Sequence, residues 1–340
     1  MLNIIIVADF PLEKTGIMST VRGLFAHGNQ DSFVLYSNQP ISLNGQTSQP
    51  LENRSFTGDT VVFTHMECKD LQRLISAAPD AEFHVGDWPG NYWHSLIKAG
   101  GRAKGVLGLL RFYIRLIGIS KKLPLIFVSR EDQAKAIEHG FKNARYVPLG
   151  INAPTVTRRP RVNIDEVCFS GNFRYEPNRL AAISLIERFK NIDDFRLVFV
   201  GYYANDLLEF DRTIEIHDNV PSVVDFLAER RPIYVSLIAI GAGAKNKILE
   251  AAIAGCPIIC TAESLDASVN GLSAITVVES NTDVVAVCRK VRNEEEQWQA
   301  RTETTADLLL KTRSWQAMAA LMFQRSEVPI NGANLADDHV

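Results

Sequence analysis

The chain has 340 residues, more than one hydrophobic core usually organises, so two domains of roughly 150–190 residues each are expected. With 46% hydrophobic and 22% charged residues it is neither disordered, collagen-like nor coiled coil. Thirty-six basic against 39 acidic residues give a net charge of −3, so no general positive field draws in nucleic acid.

The five cysteines (Cys68, Cys168, Cys256, Cys260, Cys288) include no Cys-x-x-Cys pair, which argues against a disulfide framework or zinc ribbon and for a reducing compartment. The chain opens on Ile4-Ile5-Ile6-Val7-Ala8, an apolar run of the kind a strand buried on both faces needs. No basic residues precede it, and the run is too short for a signal peptide. Nowhere does an apolar stretch approach the ~20 residues of a membrane span. A cytoplasmic protein is expected, touching a membrane from its inner face if at all. After Pro11 and Gly16 comes a helix over about 19–27, then apolar runs at 32–36, 60–64, 82–85 and 125–129. Helices over 71–78 and 132–139 separate some of them. Strands alternating with helices imply right-handed crossovers and a parallel, doubly wound sheet.

The stretch 153–160, with Pro154 and Pro160, has the composition of a linker. The alternation then restarts, with strands predicted at 167–170, 196–200, 233–238 and 257–261. Helices are predicted at 179–190, 223–229, 245–254 and 283–292. The expected organisation is therefore an α/β protein of two Rossmann-like doubly wound domains, 1–152 and 153–313, facing across a crevice. A last helix over about 314–326 follows, with room to pack back on the first domain, and a polar tail over 327–340.

In such folds ligands bind beyond the carboxyl ends of the strands. The most informative place is the run from Ile240 to Pro257, where a strand leads through Gly241, Ala242 and Gly243 into a helix that Gly255 caps. That helix begins with Lys245, Asn246 and Lys247. Cations at the positive end of a helix cost about 0.3–1 kcal/mol each, unless an anion compensates. Free N–H groups, two glycines and two ammonium groups suit a diphosphate. Glu250 lies one turn further along the same face, badly placed for phosphate but well placed to accept hydrogen bonds from ribose hydroxyls. The plainer alternative is a solvent-facing Lys247–Glu250 ion pair beside incidental glycines. Neither a Walker A pattern nor a complete Gly-x-Gly-x-x-Gly is present, the last position here being Asn246.

The segment Gly243 to Pro257, with its Asn-Lys-x-Leu-Glu-Ala-x-x-Ala-Gly-x-Pro core, resembles the donor-site helix of family 4 retaining glycosyltransferases, which have the GT-B fold. Phe169-Ser170-Gly171-Asn172 with Pro177-Asn178 is similar to the family's first donor-domain strand and loop, and Leu197 to Gly201 to its second. Phe127-Val128-Ser129, Val147 to Ile151 and Ser314-Trp315 are similar to other parts of the family pattern. The resemblance implies transfer of a sugar from a UDP- or GDP-linked donor to a hydroxyl of a glycan or lipid-linked acceptor. It also implies no resident cofactor, and cell-surface polysaccharide or lipopolysaccharide assembly as the setting. Lys247 would steady the leaving diphosphate, with Arg174, Asn172, Gly241, Gly243 and Asn246 around the donor and Gly16 against its phosphates. Two departures stand out: Ala242 occupies the position of a common family glutamate, and the usual Arg-x4-Lys pair is replaced at best by Arg174.

In the first half, Phe83 to Pro89 ends a strand at the crevice and resembles the family's strand ending in His-Asp. Asp87 is the candidate for handling the acceptor hydroxyl's proton and His84 the runner-up, the alternative for His84 being a satisfied core residue. His65 also points toward the crevice. Without Asp-x-Asp or histidine-rich spacing, no metal site is expected. Between Asp87 and Glu131 there is no acidic residue, and the stretch 98–122 holds Lys98, Arg102, Lys104, Arg111, Arg115, Lys121 and Lys122. A basic amphipathic helix there suits anionic lipid headgroups, or is a solvated basic face on a core helix. Beside a glycosyltransferase, two other classes stay open: a non-catalytic GT-B protein that binds a nucleotide sugar or supports another transferase, and a Rossmann oxidoreductase.

Overall fold

The computed structural model describes residues 2–12, 16–27, 33–43, 45–51, 54–98, 100–156, 159–239, 246–265, 269 and 271–323. In chain order the first half carries β1 (Leu2–Ile6), α1 (Gly16–His27), β2 (Phe33–Ser37), β3 (Ser42–Leu43), β4 (Gln46–Thr47) and β5 (Gln49–Pro50). It continues with β6 (Thr60–Phe63), α2 (Leu71–Ala77), β7 (Glu82–Gly86), α3 (Pro89–Lys98), α4 (Arg102–Ile117), β8 (Leu125–Phe127), α5 (Arg130–Glu138) and β9 (Ala144–Tyr146). The second half begins with β10 (Asn163–Asn172), α6 (Glu176–Phe189), β11 (Arg196–Tyr202), β12 (Glu215–Asp218), α7 (Val223–Arg230) and β13 (Pro232–Ser236). It ends with α8 (Asn246–Ile253), β14 (Ile258–Thr261), β15 (Ile275–Val278), α9 (Val284–Asn293), α10 (Glu295–Thr312) and α11 (Trp315–Phe323).

Two parallel sheets organise these elements, in the orders β5-β2-β1-β6-β7-β8-β9 and β12-β11-β10-β13-β14-β15. These are the two doubly wound, Rossmann-like sheets expected from the alternating pattern. The central strands have long apolar runs because helices cover both faces: Ile4, Ile5 and Ile6 are fully buried, as are Val198, Phe199 and Val200. Two charged side chains are fully buried in the second half, Glu166 and Arg231. Glu166, at 0% exposure, is held by Arg196 (2.8 Å) and Arg230 (2.5 Å), which supply the partners a buried carboxylate requires.

In each sheet the chain runs first to one side of the opening strand and then crosses to the other. The loops after β1 and β6, and those after β10 and β13, therefore diverge at the carboxyl edges and leave a crevice. The last helix returns to the first half. Ile151 N–H donates to Arg313 O (2.8 Å), and Trp315, 6% exposed, lies against Gly23 of α1 and Gly150. A Cβ at Gly23 would stand 2.1 Å from the indole and one at Gly150 2.3 Å, so both positions require glycine for this approach. Arg145, paired with Glu82 at 2.7 Å, donates to the carbonyls of Leu321 and Met322 at the end of α11.

Several elements escape the sequence pattern, notably α3, β9, β12, β15 and the 18-residue α10. Where the pattern does find elements, bounds shift by a few residues. The strand predicted at 167–170 runs from Asn163 to Asn172, and the helix at 19–27 begins at Gly16. The polar tail 327–340 lies outside the described residues.

Candidate active site in the crevice

A cavity of about 550 Å³ opens between the two halves. Its walls carry His65, His84 and Asp87 from the first sheet's carboxyl edge, Thr20 from α1, and Tyr175 and Asn246 from the second half. Beside it a smaller space of about 50 Å³ is lined by Thr20, Asn246 and Glu250, among others. Thr20 and Asn246 border both, so they sit where the two spaces meet.

Asp87 reaches the cavity through a local break in its strand. Gly86 has φ +72°, a conformation a side chain would strain, and the pairing of β7 with β8 shifts register between His84 and Gly86. The kink turns Asp87 outward, with its backbone N–H donating to Val85 O at 2.9 Å, and leaves its side chain exposed at the crevice. His84 behaves differently. It is 5% exposed, tilted against Phe63 at 5.1 Å, and burial holds its pKa down to about 4, with Arg145 adding to the effect. At neutral pH it is an uncharged imidazole that can exchange hydrogen bonds with a ligand but brings no positive charge.

The opposite wall is built on three elements. Lys247, in the first turn of α8, donates from Nζ to Asn178 Oδ1 and lies over the Phe169 ring at 5.1 Å. Asn178 in turn donates to Asn172 O at 3.0 Å, so the end of β10, the start of α6 and the start of α8 are tied through one buried carboxamide. Glu250, half-buried and one turn on, has its pKa raised by burial to about 7 against the pull of Lys247. Asn246 Oδ1, at the mouth of the helix, is a buried acceptor with no hydrogen-bond partner among the described residues. Tyr175 keeps its phenol proton, its pKa pushed up to about 12 by burial, then by Tyr92 and Asp87. It can donate a hydrogen bond into the cavity at any ordinary pH.

The structure thus brings Asp87, His84 and Asn246 to one cavity and Glu250 to its smaller neighbour, with Lys247 one helical residue from Asn246. Gly16 opens α1, whose Ile17 and Thr20 line the wall. Asn172 serves the network through its carbonyl, while its Oδ1 accepts the Arg174 N–H at 3.1 Å. Arg174 is turned elsewhere: its guanidinium pairs with Asp206 at 3.0 Å and covers the Tyr203 ring at 3.9 Å, and it is not among the residues lining either space. Gly241, Gly243, Ala242 and Lys245 lie outside the described residues. Sequence reasoning gave no role to Asn178, Thr20 or Tyr175. Only Asn178 had a signal, as part of the Pro177-Asn178 pair in the family resemblance.

Residues 165–293, the span holding β10 through α9, match the family described as Glycosyl transferases group 1. Among solved structures the chain is similar to WaaG, a glycosyltransferase involved in lipopolysaccharide biosynthesis, at TM-score 0.66 and 12% identity over 96% of this chain and 100% of that one. It is also similar to sucrose-phosphate synthase from Thermosynechococcus elongatus, at TM-score 0.67 and 11% identity, covering 95% and 97% of the two chains. Anabaena HepE in complex with UDP gives TM-score 0.62 and 9% identity over 95% and 98%. At these identities the likeness is one of fold. No curated protein matches the sequence. The resemblance carried by Asn246 to Pro257 is to a family whose pattern this span does match, and the two-domain architecture is that of the GT-B glycosyltransferases.

Proposed function

We propose, with the group 1 glycosyltransferase fold as premise, that the chain is a metal-independent retaining hexosyltransferase using a UDP- or GDP-linked sugar. The observation that carries this reading is the cavity shared between Asp87 and the start of α8, which accommodates an acceptor on one wall and a donor on the other. Lys247 and the backbone N–H groups of the first turn of α8 stabilise the charge developing on the leaving diphosphate. Glu250 accepts from the ribose hydroxyls, and Asp87, an exposed carboxylate at the crevice, takes up the acceptor proton. The phenol of Tyr175 and the neutral imidazole of His84 orient the sugars between them. Retention of configuration comes into this reading from the family resemblance.

The acceptor we propose is a glycan or lipid-linked hydroxyl of cell-surface polysaccharide or lipopolysaccharide assembly, met at the inner face of a membrane. Support comes from α4. Its buried side is Gly105, Gly108, Phe112 and Leu116, yet Val106, Leu107, Leu110, Ile114 and Ile117 are 49–84% exposed on the side away from the core. Lys104 and Arg111 flank that stripe and are exposed too. A solvated basic face on a core helix would carry polar residues there instead. Apolar side chains beside exposed cations suit a bilayer with anionic headgroups. No helix among the described residues is long and apolar enough to cross a membrane.

Calorimetric titration with UDP, GDP, ADP and NAD, repeated on Lys247→Ala, tests the donor assignment. One nucleoside diphosphate should bind and be lost in the variant; binding of NAD alone would overturn the reading and favour an oxidoreductase. A second reading rests on Ala242, where the family commonly has a glutamate: a non-catalytic protein that holds a nucleotide sugar for a partner transferase. Slow hydrolysis of the bound donor by the wild type, absent in Lys247→Ala, removes it.

A further inference from the structure

The carboxyl ends of β1 and β6 bring together three side chains that the transfer reaction does not use. Asp9 follows β1, while His65 and Cys68 sit in the turn after β6, where Cys68 N–H donates to His65 O at 3.0 Å and so stacks positions three apart. The ligating atoms of Asp9, His65 and Cys68 all lie within 4.8 Å of one another. Asp9 Oδ2 stands 4.0 Å from His65 Nε2, and the Cys68 thiol approaches Asp9 Oδ1 at 3.9 Å.

We infer that Asp9, His65 and Cys68 form a binding site for a borderline-soft divalent metal ion of the zinc class, on the rim of the crevice cavity. Three observations converge. His65 Nε2 is a buried nitrogen with no hydrogen-bond partner among the described residues, on a side chain with a quarter of its surface exposed. A buried lone pair or N–H without a partner costs about 1–3 kcal/mol, and a metal ion removes that cost. The imidazole is fixed by stacking on Phe10, 5.1 Å away at 26°, which holds its ring edge toward the carboxylate. Asp9 is anchored by the Lys69 N–H donating to Oδ2 at 2.9 Å, the outer support a ligating carboxylate needs.

The geometry is close to what zinc demands. Bonds of about 2.0 Å to nitrogen and oxygen and about 2.3 Å to sulfur place the three tetrahedral ligand atoms about 3.3–3.5 Å apart, so separations of up to 4.8 Å must contract by at most about 1.3–1.5 Å. A thiolate, an imidazole and a carboxylate disfavour magnesium and calcium, which take all-oxygen sets. Binding displaces the Cys68 thiol proton to solvent. The site then carries two negative charges against the ion's two positive ones, with the Arg115 guanidinium nearby opposing the ion. Three protein ligands leave a fourth position for water, on the side where Phe10, Thr64 and His65 line the cavity. A bound ion ties the loop after β1 to the turn after β6 and so fixes Phe10 at the cavity wall.

The test is a cobalt(II) titration of the full chain, purified free of metal, followed by absorbance. A one-to-one complex should show the near-ultraviolet sulfur-to-cobalt charge-transfer band and the intense visible bands of a four-coordinate site, and zinc should abolish both. The band is diagnostic because Cys168, Cys256, Cys260 and Cys288 are at 0% exposure in the second core. Cys68→Ser should eliminate it, and Asp9→Asn and His65→Gln, both at partly exposed positions, should each weaken binding by roughly tenfold or more. Zinc should also raise the melting temperature of the wild type and not of Cys68→Ser. A wild type without the sulfur band, or a band that persists at unchanged affinity in Cys68→Ser or in both other variants, overturns the assignment. In the first case water in the cavity is what satisfies His65.

Discussion

In the proposed donor site Lys247 and Glu250 act as a unit, and their separate replacement should reveal it. In the free protein the Lys247 ammonium is engaged by Asn178 Oδ1 and the Phe169 ring. A diphosphate must win it from these partners, so the net gain falls toward the lower part of the 1.5–3 kcal/mol that a charge-assisted hydrogen bond contributes. Lys247→Ala should therefore weaken diphosphate binding by roughly ten- to 150-fold, with the lower end expected. Glu250 adds a pH signature. With its pKa near 7, about nine-tenths of the carboxyl is protonated at pH 6 and about nine-tenths ionised at pH 8. Glu250→Gln resembles the protonated form, so it should change affinity little at pH 6 and clearly more at pH 8. In Lys247→Ala the attraction that lowers this pKa is gone, and the midpoint of the profile should move upward. Calorimetry of the nucleoside diphosphate across pH 6–8 reads all three. An affinity within twofold of wild type in Lys247→Ala, or a Glu250→Gln deficit equal at both pH values, would refute the reasoning.

Trp315 docks the last helix, and its Nε1 is a buried donor without a partner among the described residues. Trp315→Ala should cost about 3–5 kcal/mol in urea unfolding followed by circular dichroism, whereas Trp315→Phe loses area but sheds the orphaned donor and should cost far less. Equal costs would mean the indole N–H is satisfied after all. Gly23→Ala, whose Cβ would meet the same ring at 2.1 Å, should cost about 1–3 kcal/mol. His84 has its folded pKa lowered to about 4 from 6.5, so the native state binds fewer protons than the unfolded chain between those values, and stability is lost as pH falls through that window. The shift corresponds to about 3 kcal/mol, and the wild type should lose that much more than His84→Gln between pH 6.5 and 4. Asp132 and Glu250, whose pKa values are raised, titrate in the opposite sense and cancel in that difference, which fails if the two proteins track each other. On α4, Leu110→Ser with Ile114→Ser should leave stability within about 0.5 kcal/mol yet abolish flotation with anionic vesicles at high salt. Lys104→Gln with Arg111→Gln should weaken binding at low salt by roughly 1 kcal/mol per charge. Absence of wild-type flotation would end the membrane proposal.

Much of the fold was legible because buried parallel strands are written in an unbroken apolar alphabet. Ile4 to Val7, Val198 to Val200 and Ile258 to Cys260 need no context to be recognised. α10 was not, although it is the longest helix among the described residues. Its buried side reads Trp298, Thr302, Thr305, Ala306 and Leu309, so two threonines break the apolar period that betrays an amphipathic helix. Those threonines are there for polar partners far away in sequence. Thr302 accepts from the fully buried Arg231 at 2.8 Å and Thr305 from the Ala274 N–H at 3.3 Å. Local periodicity cannot express an obligation to a residue 71 positions distant.

The same distinction separates the parts of the candidate site. Asp87 and α8 could be found because each is announced by its own neighbours: a strand that ends in Gly86, and a helix whose first turn carries lysine where local rules prefer acid. Arg174 illustrates the opposite case. A free arginine after the first strand of a donor domain has the chemistry to hold a diphosphate, and nothing within ten residues contradicts it. What redirects it is Asp206, 32 positions on, together with the Tyr203 ring. An exposed pair of this kind contributes at most about 1 kcal/mol, so the arrangement is a weak restraint. A diphosphate bound at α8 that recruited Arg174 would have to offer more than Asp206 and Tyr203 together. Asp206→Asn removes the competing charge and should strengthen diphosphate binding if Arg174 can swing across. Unchanged affinity would assign the guanidinium to the surface and leave Lys247 and the start of α8 to hold the phosphates without it.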